Sequence, residues 1–356
     1  MFLRTILSAS ALLFTSVFAQ TACNNSPSLC NKAYNNVTYL GTHDAAFLRD
    51  ASTNFNTAGN QFYNATVQLS AGVRLLTAQV HKYNSTSGPI EWHLCHTTCS
   101  LLDAGTLESW LGEIKTWMDA NPTDVVTVLL VNSDNASGDI LGEQFNSSGI
   151  SRYAYTPPSS TTLPKTWPTL DNLISNGTRL MSFVASMSTP SASYPFLMDE
   201  FTYLYENSYE NESPSEFSCD PNRPTNLDAQ TAKSSGRMFL MNHFLYSTQL
   251  FGIQTPNVTY TNVTNAASGA GSLGNAIQNC TSVYSKPPNF VLVDFFNVGP
   301  AIQAVDNANG VTSAQGRKSV STALVDETAS RSAGTRSTGS VLAVIVAVMA
   351  AVGFSM

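Results

Sequence analysis

The chain has 356 residues, 43% apolar and only 12% charged, with a formal net charge of −7. That is enough for one large domain or two small ones, and Ser, Thr and Asn stand where a cytosolic surface would carry charge. An acidic chain without a Lys/Arg run argues against nucleic acid as a partner and against unaided adhesion to anionic lipid.

In chain order, residues 1–19 open with Arg4, run apolar through 6–18 and carry Val17 and Ala19 in the small-residue cleavage pattern. They are expected to be a signal peptide, with the mature chain beginning near Gln20. In an oxidising compartment the six cysteines are expected to form disulfides, and six allow fifteen connectivities. The expected pairing is local for Cys23–Cys30 and Cys95–Cys99, with Cys219–Cys280 across the chain. Eleven Asn-X-Ser/Thr sequons, at Asn24, Asn36, Asn64, Asn84, Asn135, Asn146, Asn176, Asn211, Asn257, Asn262 and Asn279, agree with an extracellular, glycosylated chain.

The mature chain reads as one domain over 20–309. Short β-rich runs recur at 37–41, 73–81, 90–96, 125–131, 179–184, 201–205, 238–242 and 290–295, several of them continuously apolar, as in strands covered on both faces. The clearest helix spans 106–120, where Leu107, Trp110, Leu111, Ile114 and Trp117 fall at helical spacing before Asn121-Pro122. Weaker helices are expected at 170–175 and 276–284. Eight strands alternating with helices predict an α/β fold, a distorted (β/α)8 barrel, with chemistry at the C-terminal strand ends.

Those ends carry the candidate residues. The first strand runs into Gly41-Thr42-His43-Asp44, a position suited to a general base. The second alternates Thr77, Gln79 and His81 on one face, with His81 expected at an exposed end. The third ends Trp92-His93-Leu94-Cys95-His96, and His96 gives the site a second imidazole, so that one can take a proton while the other supplies one. A zinc site from His93, Cys95, His96 and Cys99 is the competing reading; strand alternation separates His96 from His93 and Cys95, and a disulfide would remove the thiolates. The last strand buries Asp294 in an apolar run, where it needs a partner. As the neighbour of the first strand in a closed barrel, it is placed to orient His43. His243, at another strand end, reads as structural or site-lining. Gly269-Ala270-Gly271-Ser272-Leu273-Gly274 matches a dinucleotide fingerprint in letters only, because no apolar strand leads into it; it is expected to be a flexible loop.

Beyond the domain, the Ser/Thr/Gly-rich residues 310–334 are expected to form a flexible stalk. Small residues at 330–334, a polar spacer and the apolar stretch 341–354 form the pattern of a GPI signal, with 335–356 removed on maturation and attachment at Ser330, Ser332 or Ala333.

With these residues in place, the chain resembles the X domain of phosphatidylinositol-specific phospholipases C, and secreted fungal phospholipase C-like proteins in particular. Gly41-Thr42-His43-Asp44, Gly72-Val73-Arg74-Leu75, His93-Leu94-Cys95-His96 and 290–299 match its motifs in order across 34–309. The resemblance implies metal-independent acid–base cleavage of a lipid or glycolipid phosphodiester: His43 as base supported by Asp294, His96 as acid supported by Asp44, and a substrate-binding set of Arg74, Thr77 and Gln79. No cofactor is expected, and a monomer tethered to the membrane is. The chain departs from the pattern where the bacterial relatives carry Asp and Arg on the second strand; Thr77 and Gln79 stand there and cannot hold calcium. Asn132 replaces an expected basic residue, and none is evident near Phe183 and Val184. A pocket cation from elsewhere, such as Arg74, Arg49 or Lys82, is an open possibility. The alternative function is a non-catalytic surface protein binding a headgroup or glycan.

Overall fold

A computed structural model describes residues 22–84, 88–187, 189–249 and 252–325. The expected signal peptide and anchor signal lie outside the described residues. Chain order gives β1 (Tyr39–Thr42), α1 (Ala65–Ala71), β2 (Leu75–Asn84), β3 (Ile90–Cys95), β4 (Asp103–Thr106), α2 (Leu107–Ala120), β5 (Val126–Asn132), α3 (Gly138–Ser147), α4 (Leu170–Ser175), β6 (Leu180–Ala185), β7 (Leu197–Asp199), α5 (Glu200–Tyr203), β8 (Leu204–Glu206), α6 (Ala229–Ser234), β9 (Met238–Asn242), β10 (Tyr246–Thr248), β11 (Gln254–Pro256), α7 (Thr261–Thr264), α8 (Leu273–Tyr284), β12 (Phe290–Val293) and α9 (Ala301–Asn309).

Eight parallel strands follow one another in the order β7-β6-β5-β2-β1-β12-β9-β8. β1 pairs with both β2 and β12, so the first and last strands are neighbours, as expected. Among the described residues no ladder joins β7 to β8, and the barrel has a seam there. Alternation along β5 sets its two faces. Val126, Val128 and Leu130 face outward to the α2 stripe of Trp110, Leu111, Ile114 and Trp117. Thr127, Leu129 and Val131 face inward, where Leu129 joins Leu75, Phe183, Leu240, Phe290 and Leu292 in the barrel interior. The α2 helix starts on its Thr106 cap, whose hydroxyl accepts from the Ser109 amide at 3.2 Å.

Two expected strands are corrected. The 90–96 run is not a barrel strand: β3 pairs antiparallel with the overhanging half of β2 and with β4, forming a flap above the mouth. The 201–205 run splits, its first half closing α5 and its second opening β8. The eighth barrel strand is β7, three residues that are too short to show a period. The three disulfides are those expected, Cys23–Cys30, Cys95–Cys99 and Cys219–Cys280.

Residues 311–325 also differ from the expected flexible stalk. They form no helix or strand, yet they lie along the barrel between α1 and α9, tied by backbone and side-chain bonds. The folded domain therefore continues to 325. Among the described residues no helix is long and apolar enough to cross a membrane.

Candidate active site

β1 brings the chain to the mouth through Gly41, where a Cβ would come within 2.6 Å of Leu292 and 2.9 Å of Leu75, so a side chain there would have to push both leucines aside. His43 follows on the turn. Its Nδ1–H donates to Asp294 Oδ1 at 3.0 Å, which leaves Nε2 facing the cavity as an acceptor. The ring lies flat on Phe244, centroids 3.7 Å apart and planes 4° apart, so its orientation is fixed. Asp44 adopts φ +49°, a left-handed conformation that Asp tolerates better than most residues. That turns its carboxylate between the two imidazoles: Oδ2 is 3.6 Å from His43 Nε2 and 3.8 Å from His96 Nε2. His96 leaves the end of β3, packs edge-on against Phe47, and keeps a buried Nε2 with no hydrogen-bond partner.

The sequence-expected residues His43, Asp44, His96 and Asp294 thus meet at one mouth, together with Thr77 and Gln79. Thr77 accepts the Asp44 amide at 2.9 Å, and Gln79 donates to Asp44 Oδ2 at 2.7 Å while accepting the Thr97 amide at 2.8 Å. These two residues hold the acid between the rings.

Arg74 is a correction. It lies at the opposite, N-terminal end of β2, buried, with its guanidinium on Asp124 at 2.5 and 3.1 Å, on the carbonyls of Leu69 and Val73, and on Asn25. A residue that starts a barrel strand points to the stability face, and Arg74 cannot reach substrate. His81 sits 3.4 Å from Asp134 at the overhanging end of β2. His93 turns onto Asp103 at 2.9 Å, and Cys95 and Cys99 are joined to each other, so the four proposed zinc ligands do not form a site. His243 is buried with Nε2–H donating to the Thr264 carbonyl at 3.0 Å; burial pushes its pKa down to about 4, and it does not line the cavity of His43 and Asp44. Asn132 bonds the Ala136 and Ser186 carbonyls, and Phe183 and Val184 are core residues. The glycine-rich 269–274 stretch ends in the first turn of α8, where Gly274 packs on the Ala267 carbonyl.

Several site residues were missed. Asn60 donates to Asp294 Oδ1 at 3.0 Å, and Gln61 donates to the carbonyls of His43 and Val293 at 2.9 and 3.1 Å, so one dipeptide ties the turns of His43 and Asp294 together. Asn265 donates to the carbonyls of Asp294 and Val298. The cavity, about 150 Å³, is lined by His43, Asp44, Thr77 and Gln79 and extends past Phe244 and Tyr246 to Glu200, Glu206 and Arg223. Arg223, from the loop after β8, is the cation in its lining, where neither Arg49 nor Lys82 reaches. Its Nη2 lies 2.8 Å from Glu206 Oε1, its guanidinium stacks 4.4 Å over Tyr209, and Asn242 donates to Glu206 Oε2 at 2.6 Å. Glu206 ends a short strand, the same cue that marked His43 and Asp294.

The electrostatics separate the two imidazoles. Burial pushes His43 down, but Asp44 and Asp294 outweigh it and the net shift is upward. Burial dominates at His96 and lowers it despite Asp44. Burial raises Asp294 against the pull of His43 and Asn60, and burial with the nearby charge of Glu206 raises Glu200 well above the carboxylate range.

Known proteins match this chain both in sequence and in fold. The PI-PLC X family profile matches residues 29–309. The PI-PLC X domain-containing protein 1 of Arthroderma benhamiae is 35% identical over 290 residues, covering 81% of this chain and 90% of that one. An uncharacterized secreted protein of the same organism is 36% identical over 299 residues, covering 82% of this chain; the chain spans 64% of that relative's length. In fold, a phosphatidylinositol-specific phospholipase C of Staphylococcus aureus superposes with a TM-score of 0.54 at 13% identity, over 80% of this chain and 97% of that one. With the profile spanning the whole barrel and the turns of His43 and Asp294 inside it, the chain belongs to the PI-PLC X family.

Proposed function

We propose that the protein is a secreted phosphodiesterase that cleaves a lipid or glycolipid phosphodiester with a polyol headgroup, by acid–base catalysis between His43 and His96. The observation that carries this is the pair of imidazoles on either side of one carboxylate: His43 lines the cavity and is hydrogen-bonded to Asp294, and both rings lie within 4 Å of Asp44. His43 Nε2 takes the proton of a headgroup hydroxyl next to the phosphate. That oxygen forms a bond to phosphorus, the bond from phosphorus to the lipid oxygen breaks, and His96 Nε2–H protonates the departing oxygen. The products are a cyclic phosphodiester and the lipid alcohol. Glu206 and Arg223, which also line the cavity, offer an acceptor and a donor to the remaining hydroxyls.

In the free protein the proton favours His43 over His96, opposite to these roles. The reactive form, with His43 neutral and His96 protonated, is a minority that the substrate selects. The ascending limb of kcat/KM then follows the lower pKa, that of His96, and the descending limb follows His43. Gln79 in place of a phosphate-binding cation favours a second reading, headgroup binding without turnover.

The test is turnover of the full secreted chain on phosphatidylinositol, a GPI-linked protein, a lysophospholipid and a chromogenic diester, with and without EDTA. EDTA-resistant cleavage lost in both His43→Ala and His96→Ala supports the proposal. No cleavage of any member, with headgroup binding retained, supports the second reading.

A further inference from the structure

The catalytic Asp294 stands at the start of a constrained turn. Phe295, next to it, adopts φ +45°, an outlier for a bulky residue. Its amide donates to the Asn60 carbonyl at 2.9 Å, and its ring is buried against Phe62 and Val298. One oxygen of Asp294, Oδ2, is buried with no hydrogen-bond partner, so the carboxylate is held from one side only. Such a turn keeps its geometry only if its surroundings over-determine it.

Part of that surrounding comes from residues 311–325. Val311 is buried at the foot of α9. Gln315 and Asn25 exchange two hydrogen bonds of 2.8 Å at the N-terminal end of the barrel. Arg317 forms a two-pronged ion pair with Asp306 of α9, at 2.6 and 2.7 Å, and fills the space beside Gly72, whose φ of +120° leaves no room for a side chain. The Lys318 amide donates to the Ser70 carbonyl at the end of α1. The segment then climbs to the catalytic end, where Asn297 Nδ2 donates to the carbonyls of Ser321 and Ala323 at 2.8 and 3.3 Å and Val325 packs on the cluster of Phe62, Phe295 and Val298. Most of its residues are exposed; what holds it is a short series of specific anchors, the uppermost on the turn that carries Asp294.

We infer that residues 311–325 are a positioning strap for the catalytic carboxylate: Asn297 and Val325 couple the strap to the Asp294 turn, and the Arg317–Asp306 pair sets its tension from below. This inference rests on the proposed acid–base role of His43 and Asp294. Release of the strap lets the turn relax, and Asp294 moves off His43 Nδ1.

The test uses the full chain carrying Asn297→Ala, Val325→Ser or Arg317→Ala, with two readouts: kcat/KM against pH on whichever diester the wild type cleaves, and the NMR titration of His43, one of only five histidines. Expected for Asn297→Ala is a loss of about tenfold in kcat, below the ~10²-fold that a 1 Å misplacement can cost. KM should stay within about twofold, and the His43 midpoint and the descending limb should both move to lower pH. Arg317→Ala, on the exposed strap and far from the turn, should give the same shifts at smaller size and guards against a variant that fails to fold. Folded variants with lower melting temperatures but an unmoved His43 midpoint would overturn the inference, leaving the strap as packing alone. Should the wild type cleave nothing, the proposed activity falls, and the His43 titration still decides the coupling.

Discussion

Asp294→Asn isolates the charge that the site places behind His43. The amide has the shape of the carboxylate, and Asn60 Nδ2, 3.0 Å from Oδ1, keeps the amide oxygen turned toward His43, because the flipped amide would set two NH₂ groups against each other. The new NH₂ then takes the place of Oδ2, which has no partner to lose. The substitution leaves the His43 hydrogen bond formed but neutral at its acceptor. A hydrogen bond to a charged group contributes about 1.5–3 kcal/mol and a neutral one about 0.5–1.5 kcal/mol, so about 1–1.5 kcal/mol is lost, and at about 1.4 kcal/mol per decade this predicts a fall in kcat of about 5- to 13-fold. His43 loses one of the two carboxylates that raise it while its burial remains, so its pKa falls and the descending limb of kcat/KM moves to lower pH. Burial holds Asp294 above its ordinary pKa, so removing its charge should not lower the melting temperature at neutral pH. The measurements are kcat/KM from pH 4 to 9, the His43 titration by NMR, and thermal unfolding. An unmoved His43 midpoint with kcat within about threefold of wild type would refute the reasoning, since Asp294 would then not stabilise the imidazolium.

Three further predictions follow from other parts of the molecule. Arg74→Met should lower stability by about 3–5 kcal/mol, because Asp124 is left buried without its partner, and should leave KM unchanged where the variant is folded; a raised KM at full stability would return Arg74 to the substrate. Glu200→Gln should raise the melting temperature at pH 7. Glu200 keeps its proton in the folded state and loses it on unfolding, so its contribution to stability falls as pH rises above the ordinary value of 4.5; the gain in the variant should grow with pH and vanish below about pH 4. Replacing Cys95 and Cys99 by alanine opens a loop of separation 4, whose closure contributes about 2 kcal/mol or less, but frees the turn that carries His96. The kcat should fall at temperatures where the variant is fully folded, and an unchanged kcat would show that the cross-link does not position His96.

The clustering at the candidate site was legible because its residues obey one rule: polar side chains at the ends of apolar strands. His43 and Asp294 follow β1 and β12, and adjacency of the first and last strands brings them together. The flap was not legible, since β3 alternates like any strand and nothing local says that its neighbour is the overhang of β2 rather than the barrel wall. Arg74 misled because it stands in a recognised motif, yet it begins its strand rather than ending it. Arg223 and Asn265 gave no signal at all; their roles come from loops whose positions depend on tertiary contacts. Asn60 and Gln61 were passed over for a related reason, as their bonds run to chain segments more than 200 residues away. The strap was misread from composition: Ser, Thr and Gly cannot build a core, but Arg317, Val320 and Val325 suffice to fasten an extended chain to one that exists.

The two imidazoles belong to separately built parts. His43 and Asp294 are set in the barrel wall, where each change must satisfy neighbours on several strands. His96 is delivered by the flap, whose ladder to β2 lies beyond the barrel. A lineage can therefore lengthen, shorten or re-hinge that hairpin, and so move the second imidazole, without disturbing His43 or Asp294. Divergence of substrate within this architecture should be recorded first in the length and cross-linking of the flap, with the wall of the barrel as the slowly changing reference.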